Sequence, residues 1–348
     1  DNFLVVNPAI PFLTENEIDK IYDLPYTRLP HFKYKSKDKI PAYEMIKFSV
    51  NIHRGCFGGC SFCTISAHQG KFISSRSEKS IINEINKISK LPDFKGRLSD
   101  LGGPSANMYR MKGIDQSICD KCIRPSCIFP NICTNLNTSH KPMLELYEKV
   151  EALPEIKKVT IGSGIRYDLI MNRSKSGGDN DQQTYLKRLV LNNVSGRLKV
   201  APEHTSDDVL KIMRKPSFEL YDSFKKKFLS ISENAGLKQL IIPYFISNHP
   251  GSTEEDMAKL AADTKEAGLH LEQVQSFTPT PMTNATVMYY SGVNPYTLKP
   301  VYVARSKDEK ERQHMYFFWY KTEFRKRIKN SLLKLGRVDL IKKLLGKY

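Results

Sequence analysis

Residues 51–63 read "NIHRGCFGGCSFC", which places Cys56, Cys60 and Cys63 three and then two residues apart on a glycine-rich loop. In a reducing compartment, thiols at such short spacings point to metal or redox chemistry rather than to disulfides. Four cysteines would close a zinc tetrahedron or hold every corner of a 4Fe-4S cube. Three leave one iron without a protein ligand, open to a small molecule. Gly55, Gly58 and Gly59 let the backbone curl around such a group.

Outward from the loop, between Ile46 and Pro279, strand-like and helix-like segments alternate. Six strands are expected, in "IKFSVNIH", "GRLSDLGG", "KKVTIGSGIR", "RLKVAPEH", "KQLIIPYFIS" and "HLEQVQSFTPTP", with helices such as "SEKSIINEINKISKL" and "TEEDMAKLAADTKEAG" between them. Right-handed crossovers return each helix over a parallel sheet, so the pattern predicts an α/β fold, a partial (β/α)6 TIM-like barrel whose active face is made by the loops after the strands. The cysteine loop follows strand one, Gly102 and Gly103 end strand two, and Glu203 and His204 end strand four, all on that face. An irregular arm is expected over 1–45. The core covers 46–290, with a cysteine-rich insertion at 105–140 after strand two, and a basic helical extension covers 291–348. Within that extension "SKDEKERQHMYFFWYKTEFRKRIKNSLLKLG" reads as one long helix, and its aromatic stripe around Trp319 as packing.

The loop "CFGGCSFC" resembles the CxxxCxxC signature of the radical S-adenosylmethionine (SAM) superfamily, down to the aromatic Phe62 before the third cysteine. The resemblance implies that Cys56, Cys60 and Cys63 hold a 4Fe-4S cluster whose free iron binds SAM. An electron from an external donor such as flavodoxin or ferredoxin then yields a 5′-deoxyadenosyl radical that abstracts hydrogen from a substrate. It also implies roles for Gly102 and Gly103 of "DLGGPS" at the SAM amino group, although Pro104 replaces the acid many members carry. Phe62 is implied near the adenine, Glu203 at the ribose or methionine end, and Arg76 at the SAM carboxylate. From the residues alone, Glu203 reads equally as a helix cap and Arg76 as a surface residue. His68 and His204 read as proton carriers or structural histidines, and Tyr244, Asn248, His249, Thr278 and Thr280 as candidates to face the cavity.

A second group, Cys119, Cys122, Cys127 and Cys133 in "CDKCIRPSCIFPNIC", has enough thiols to close on one metal, either zinc as a structural clip or an auxiliary 4Fe-4S cluster. This insertion, the stretch "KIPAYEMIKFSVNIHRGCFGGCSFC", "LGGPSANMY" and "QSFTPTPMTNATVMYYSGVNP" together resemble the YgiQ family of radical SAM proteins, over about residues 24–302. That family carries a further N-terminal domain, like a cobalamin-binding fold, ahead of the matched region.

Hydrophobic residues at 40% and charged residues at 26% fit a folded domain, and no apolar run reaches the roughly 20 residues of a membrane span. A start at Asp1 without a secretory leader fits a piece of a longer, cytoplasmic protein. The net charge of +17 is concentrated at the end, where Arg305 to Tyr348 hold 14 Lys or Arg against 5 Asp or Glu. That segment reads as a solvated helix face or as a contact for RNA, which would make the protein an RNA-modifying enzyme. A non-catalytic zinc-binding module is the remaining class.

Overall fold

A computed structural model describes residues 3, 5, 11–34, 39–171 and 179–346. Parts of the N-terminal arm, residues 35–38 among them, and the last two residues of the basic extension lie outside the described residues. The described strands are β1 Ser49–Asn51, β2 His53–Arg54, β3 Ser74–Ser75, β4 Arg97–Leu98, β5 Asp100–Gly102, β6 Lys158–Val159, β7 Arg197–Glu203, β8 Leu240–Ser247 and β9 Gln273–Ser276. β1 pairs with β5, β4 with β6, β7 with β8, and β8 with β9, all parallel, and a parallel bridge from Ile165 to Val200 joins the third strand segment to the fourth. β2 and β3 form a small antiparallel ladder.

The expected second strand is divided at Ser99 into β4, laddered to β6, and β5, laddered to β1, while Ser99 N–H donates to the Phe48 carbonyl at 3.0 Å and Leu101 N–H to that of Thr160 at 3.3 Å. The result is a mixed α/β fold in which neighbouring parallel strands follow chain order and bring their carboxyl ends to one rim. Among the described residues no ladder joins β1 to β9.

Alternation explains the strand faces: in β7, Leu198 and Val200 are buried while Arg197 and Lys199 face solvent. Helices cover the sheet because their apolar residues recur on one side. The helix Glu78–Ile88 buries Ile81, Ile85 and Ile88 and is capped by the Ser77 hydroxyl, which accepts from Ser80 N–H. These isoleucines join Val50, Leu101, Val159 and Leu198 of the strands, with Tyr185, Phe224 and Phe228, in the main core.

Two expectations are corrected. The arm contains a helix, Glu15–Tyr22, opened by a capping box between Thr14 and Glu17 and anchored by the fully buried Ile18. The terminal "long helix" is two, Lys307–Met315 and Thr322–Lys334, and a further helix, Val338–Leu345, follows it. The chain turns at Tyr316–Phe318 because that tightened turn drives Tyr316, Phe317 and Trp319 into a core with Met257, Ala261, Ile328 and Leu344, and Gly336, at φ 69°, ends the second helix.

Candidate metal and cofactor site

The cysteine loop is held by backbone contacts from separate parts of the chain. Cys56 N–H donates to Gly70 at 3.0 Å and Ser61 N–H to Met213 at 2.9 Å, while the Ser61 carbonyl accepts from Ala285 N–H at 2.8 Å. The Phe57 carbonyl accepts from Cys127 N–H at 3.0 Å and that of Gly58 from the Ser126 hydroxyl at 2.7 Å. Glycine is required here: Gly59 has φ 60°, and a Cβ on it would stand 2.2 Å from the Pro125 carbonyl oxygen. All three thiols are half-buried. Burial pushes the Cys63 thiol up to about 11 and raises Cys56 against the pull of Arg166, so both need a cationic partner to ionise.

For Cys56 the protein supplies one, Arg166 at the end of the third strand segment. One guanidinium nitrogen of the buried Arg166 lies 3.4 Å from Sγ of Cys60, while two others hold Asp168 at 3.0 and 2.5 Å. Burial alone would raise the Asp168 carboxyl, but Arg166 outweighs it and holds it below the carboxylate range. Glu203 completes the group at the end of β7, with Nζ of the buried Lys215 at 3.9 Å. Burial pushes the Glu203 carboxyl up, against Lys215 and Arg166. Glu203 at φ 74° and Asn248 at φ 64° adopt the left-handed backbone rare for residues with a Cβ, one just inside and one just past a strand end on this rim. Arg166, Asp168 and Lys215 escaped sequence reasoning, although a charged pair following the third expected strand was the same signal that singled out Glu203.

The other candidates divide. Phe62 packs edge-on against the His249 ring, at 5.8 Å between centroids. Gly102 accepts from Ile52 N–H at 2.8 Å, and a Cβ on Gly103 would stand 2.6 Å from Nε2 of the buried His53, which gives that glycine a packing reason of its own. Arg76 is fully buried rather than on the surface. Its guanidinium donates to Ser80, to the Asn51 carbonyl at 2.8 Å and to Glu84, and stacks over Tyr22 of the arm, so its donors are already engaged.

The capping role weighed for Glu203 falls to its neighbour. His204 Nδ1 accepts from the N–H groups of Thr205 and Ser206, both at 3.0 Å, and so carries its proton on Nε2, near the Ser252 hydroxyl. His249 donates from Nδ1 to the Pro250 carbonyl at 2.8 Å and accepts at Nε2 from the Ser61 hydroxyl at 3.2 Å. Burial lowers both, His204 to about 4 and His249 to about 3, so they are neutral near pH 7. His68 and Thr278 are exposed, Tyr244 is half-buried, Asn248 bonds to Ser247 and Ser276, and Thr280 to the Thr286 hydroxyl.

The second cysteine group docks directly behind the first loop. Cys127 and Cys133 pack with Phe57 and Cys56 around one apolar cluster, and Cys119, Cys127 and Cys133 line a cavity of about 110 Å³. Cys119 Sγ accepts from the Asn135 amide at 3.3 Å and Cys122 Sγ from Lys71 Nζ at 3.4 Å. The backbone N–H of Arg124, followed by Lys71, lowers the Cys122 thiol, while burial raises Cys119 and Cys127. Among the described residues no three His, Cys, Asp or Glu side chains converge on a point where a single ion would sit.

Nearly the whole chain aligns with proteins named UPF0313: 63% identity over 99% of the chain in Bacteroides thetaiotaomicron, 58% over 100% in Porphyromonas gingivalis and 48% over 96% in Methanocella arvoryzae. Residues 1–49 match the family described as Radical SAM N-terminal. The chain belongs to the radical SAM UPF0313 family. It spans about half the length of these relatives, 56%, 55% and 54% respectively. Within the UPF0313 chain, residues 272–345 match a domain of unknown function, DUF3362. Among solved structures, two of the radical SAM methyltransferase TsrM from Kitasatospora setae align at 13 and 14% identity with TM-scores of 0.41 and 0.44, covering 73 and 81% of this chain and 41 and 51% of theirs. No described helix is long and apolar enough to cross a membrane.

Proposed function

We propose that the chain is the catalytic core of a cytoplasmic radical SAM enzyme, a partial (β/α)6 barrel over residues 46–290 that cleaves SAM and directs hydrogen abstraction from a substrate. One observation carries this reading: three half-buried thiols on a loop held by four separate parts of the chain, with the buried Arg166 guanidinium 3.4 Å from Cys60 Sγ. The donor set fits a 4Fe-4S cluster with one open iron, since metal binding needs thiolates and Arg166 stabilises negative charge on sulfur. When bound, the cluster supplies the electron that cleaves SAM to methionine and a 5′-deoxyadenosyl radical, the electron coming from a flavodoxin or ferredoxin.

The chain's own residues bind, orient and exclude water. Cys56, Cys60 and Cys63 fix the cluster's position, and Phe62, with Gly102 and Gly103, shapes the wall on which SAM lies. Lys215 and Glu203 offer a buried cation and acid to the zwitterionic methionine end. The half-buried second group supports an auxiliary 4Fe-4S cluster over zinc, because Cys119, Cys127 and Cys133 surround a cavity rather than one point.

The test is anaerobic reconstitution with iron and sulfide, followed by dithionite and SAM. Release of 5′-deoxyadenosine, abolished by Cys60→Ala, is expected. A fully loaded protein that never releases it, or a colourless protein that takes up zinc alone, overturns the reading.

A further inference from the structure

Part of the surplus charge of the C-terminal segment converges on one groove. A groove of about 600 Å³ is lined by Arg305, Lys307, Lys310 and Arg327, with Glu311 as the single carboxylate among its lining residues. Arg305 donates to the Tyr290 carbonyl at 3.0 Å and Lys310 to the Tyr289 hydroxyl at 2.8 Å, neutral acceptors that fix these cations without cancelling their charge. Glu311 is shared between Lys307 and Arg327 at 3.8 Å each, too long for a close ion pair. Two other cations of the segment are matched by carboxylates, Arg312 to Glu254 at 3.0 Å and Arg337 to both Glu255 and Asp339 at 2.5 Å. Four cations facing one shared carboxylate leave the groove itself with a net positive charge.

Its position is informative. Ser276, which ends β9, also lines the groove. His314 Nδ1 stands 3.2 Å from the Ser276 hydroxyl and 3.3 Å from that of Ser247, the last residue of β8. Two residues beyond Ser247, His249 touches Ser61 inside the cysteine loop. The groove thus borders, at the end of β9, the rim that carries the three thiols.

We propose that this groove is a phosphate-binding site that seats a phosphate-bearing substrate against that rim. Four convergent cations repel one another until an anion arrives, and the two arginine forks match phosphate oxygens. The phosphate site stands on the groove alone, whereas its role as a substrate site rests on the radical SAM reading.

Binding is measured on the 348-residue chain without SAM, using a fluorescent 12-nucleotide single-stranded RNA and inorganic triphosphate, at about 50 and about 200 mM salt. Wild-type protein is expected to bind, and Arg305→Glu with Arg327→Glu to weaken binding by about tenfold or more. Arg305→Gln with Arg327→Gln should weaken it less, and Lys95→Glu, an exposed lysine outside the groove, not at all. With RNA, loss of two contacts should flatten the log–log salt slope by about 1.4. RNA held much more tightly than triphosphate identifies a polynucleotide as the source of the phosphates; equal affinities identify a small phosphorylated molecule. The site is overturned if neither compound binds, or if both double variants bind as wild type does. Phosphate binding by loaded protein that never cleaves SAM keeps the site and removes its substrate role. SAM cleavage without phosphate binding sinks this proposal and leaves the radical SAM reading intact.

Discussion

The guanidinium of Arg166 stands 3.4 Å from Sγ of Cys60 and is braced by Asp168 at 3.0 and 2.5 Å, a buried charge pair aimed at a sulfur 106 residues earlier in the chain. A fixed cation beside a cluster thiolate favours the reduced, more negative cluster. Arg166→Met should therefore lower the midpoint potential of the reconstituted protein by on the order of tens of millivolts, and Arg166→Lys by less. A redox titration followed by electron paramagnetic resonance measures this, and an unchanged potential in Arg166→Met would show that the contact does not tune the cluster.

Glu84 bridges Arg28 of the arm and the fully buried Arg76. Glu84→Gln leaves buried guanidinium charge without a carboxylate and should cost about 3–5 kcal/mol. The arm helix Glu15–Tyr22 should loosen with it, since Tyr22 stacks on Arg76 and Asp19 accepts from Ser77 N–H. Urea denaturation gives the cost and hydrogen exchange locates it. If SAM affinity falls tenfold while stability holds, Arg76 serves the ligand rather than the joint.

Gly59 and Gly164 form a matched comparison. Ala at 59 meets the Pro125 carbonyl in a left-handed backbone, whereas Ala at 164 meets nothing within 4 Å. Overpacking and strain should cost Gly59→Ala about 1–3 kcal/mol and part the cysteine-rich insertion from the first loop. Gly164→Ala should leave iron content unchanged. Iron and sulfide analysis after reconstitution compares the two, and equal loading would refute the steric account.

Burial lowers His53, His140 and His204 from 6.5 to about 4 and His249 to about 3. The unfolded chain takes up protons below pH 6.5 that the folded protein refuses until about pH 4. Their stabilisation is thus complete above pH 6.5 and is lost as pH falls toward 4, by up to about 1.4 kcal/mol per pH unit for each histidine. Asp100 and Glu203, raised by burial, act in the opposite sense and soften the slope. The urea midpoint should fall between about pH 6.5 and pH 4.5. His140→Gln should flatten the dependence, and a midpoint constant over that range would contradict it.

Much of this was legible in one dimension. Thiol spacing in "CFGGCSFC" is a local property, and the βα period that places Gly102, Glu203 and the loop on one rim is written in the alternation of apolar residues. The arm helix was missed although "TENE" carries the capping-box pattern, because irregular proline-rich sequence surrounds it. The terminal helix was drawn too long because an aromatic run keeps helical spacing whether or not the axis turns, and only packing against Met257 and Ile328 makes it turn.

By itself, then, the sequence determined the thiol spacing of the first loop, the parallel α/β plan and the charge of the last segment, since each depends on residue type and spacing along the chain. Tertiary structure alone decided the partners: Arg166 on Cys60, Arg76 turned to Glu84, His204 as the cap beside Glu203, the second cysteine group behind the first, and four cations gathered at the mouth of β9. Ion pairs and hydrogen bonds are set by distances of a few ångströms in space, and no spacing along a chain encodes those distances until the chain has folded.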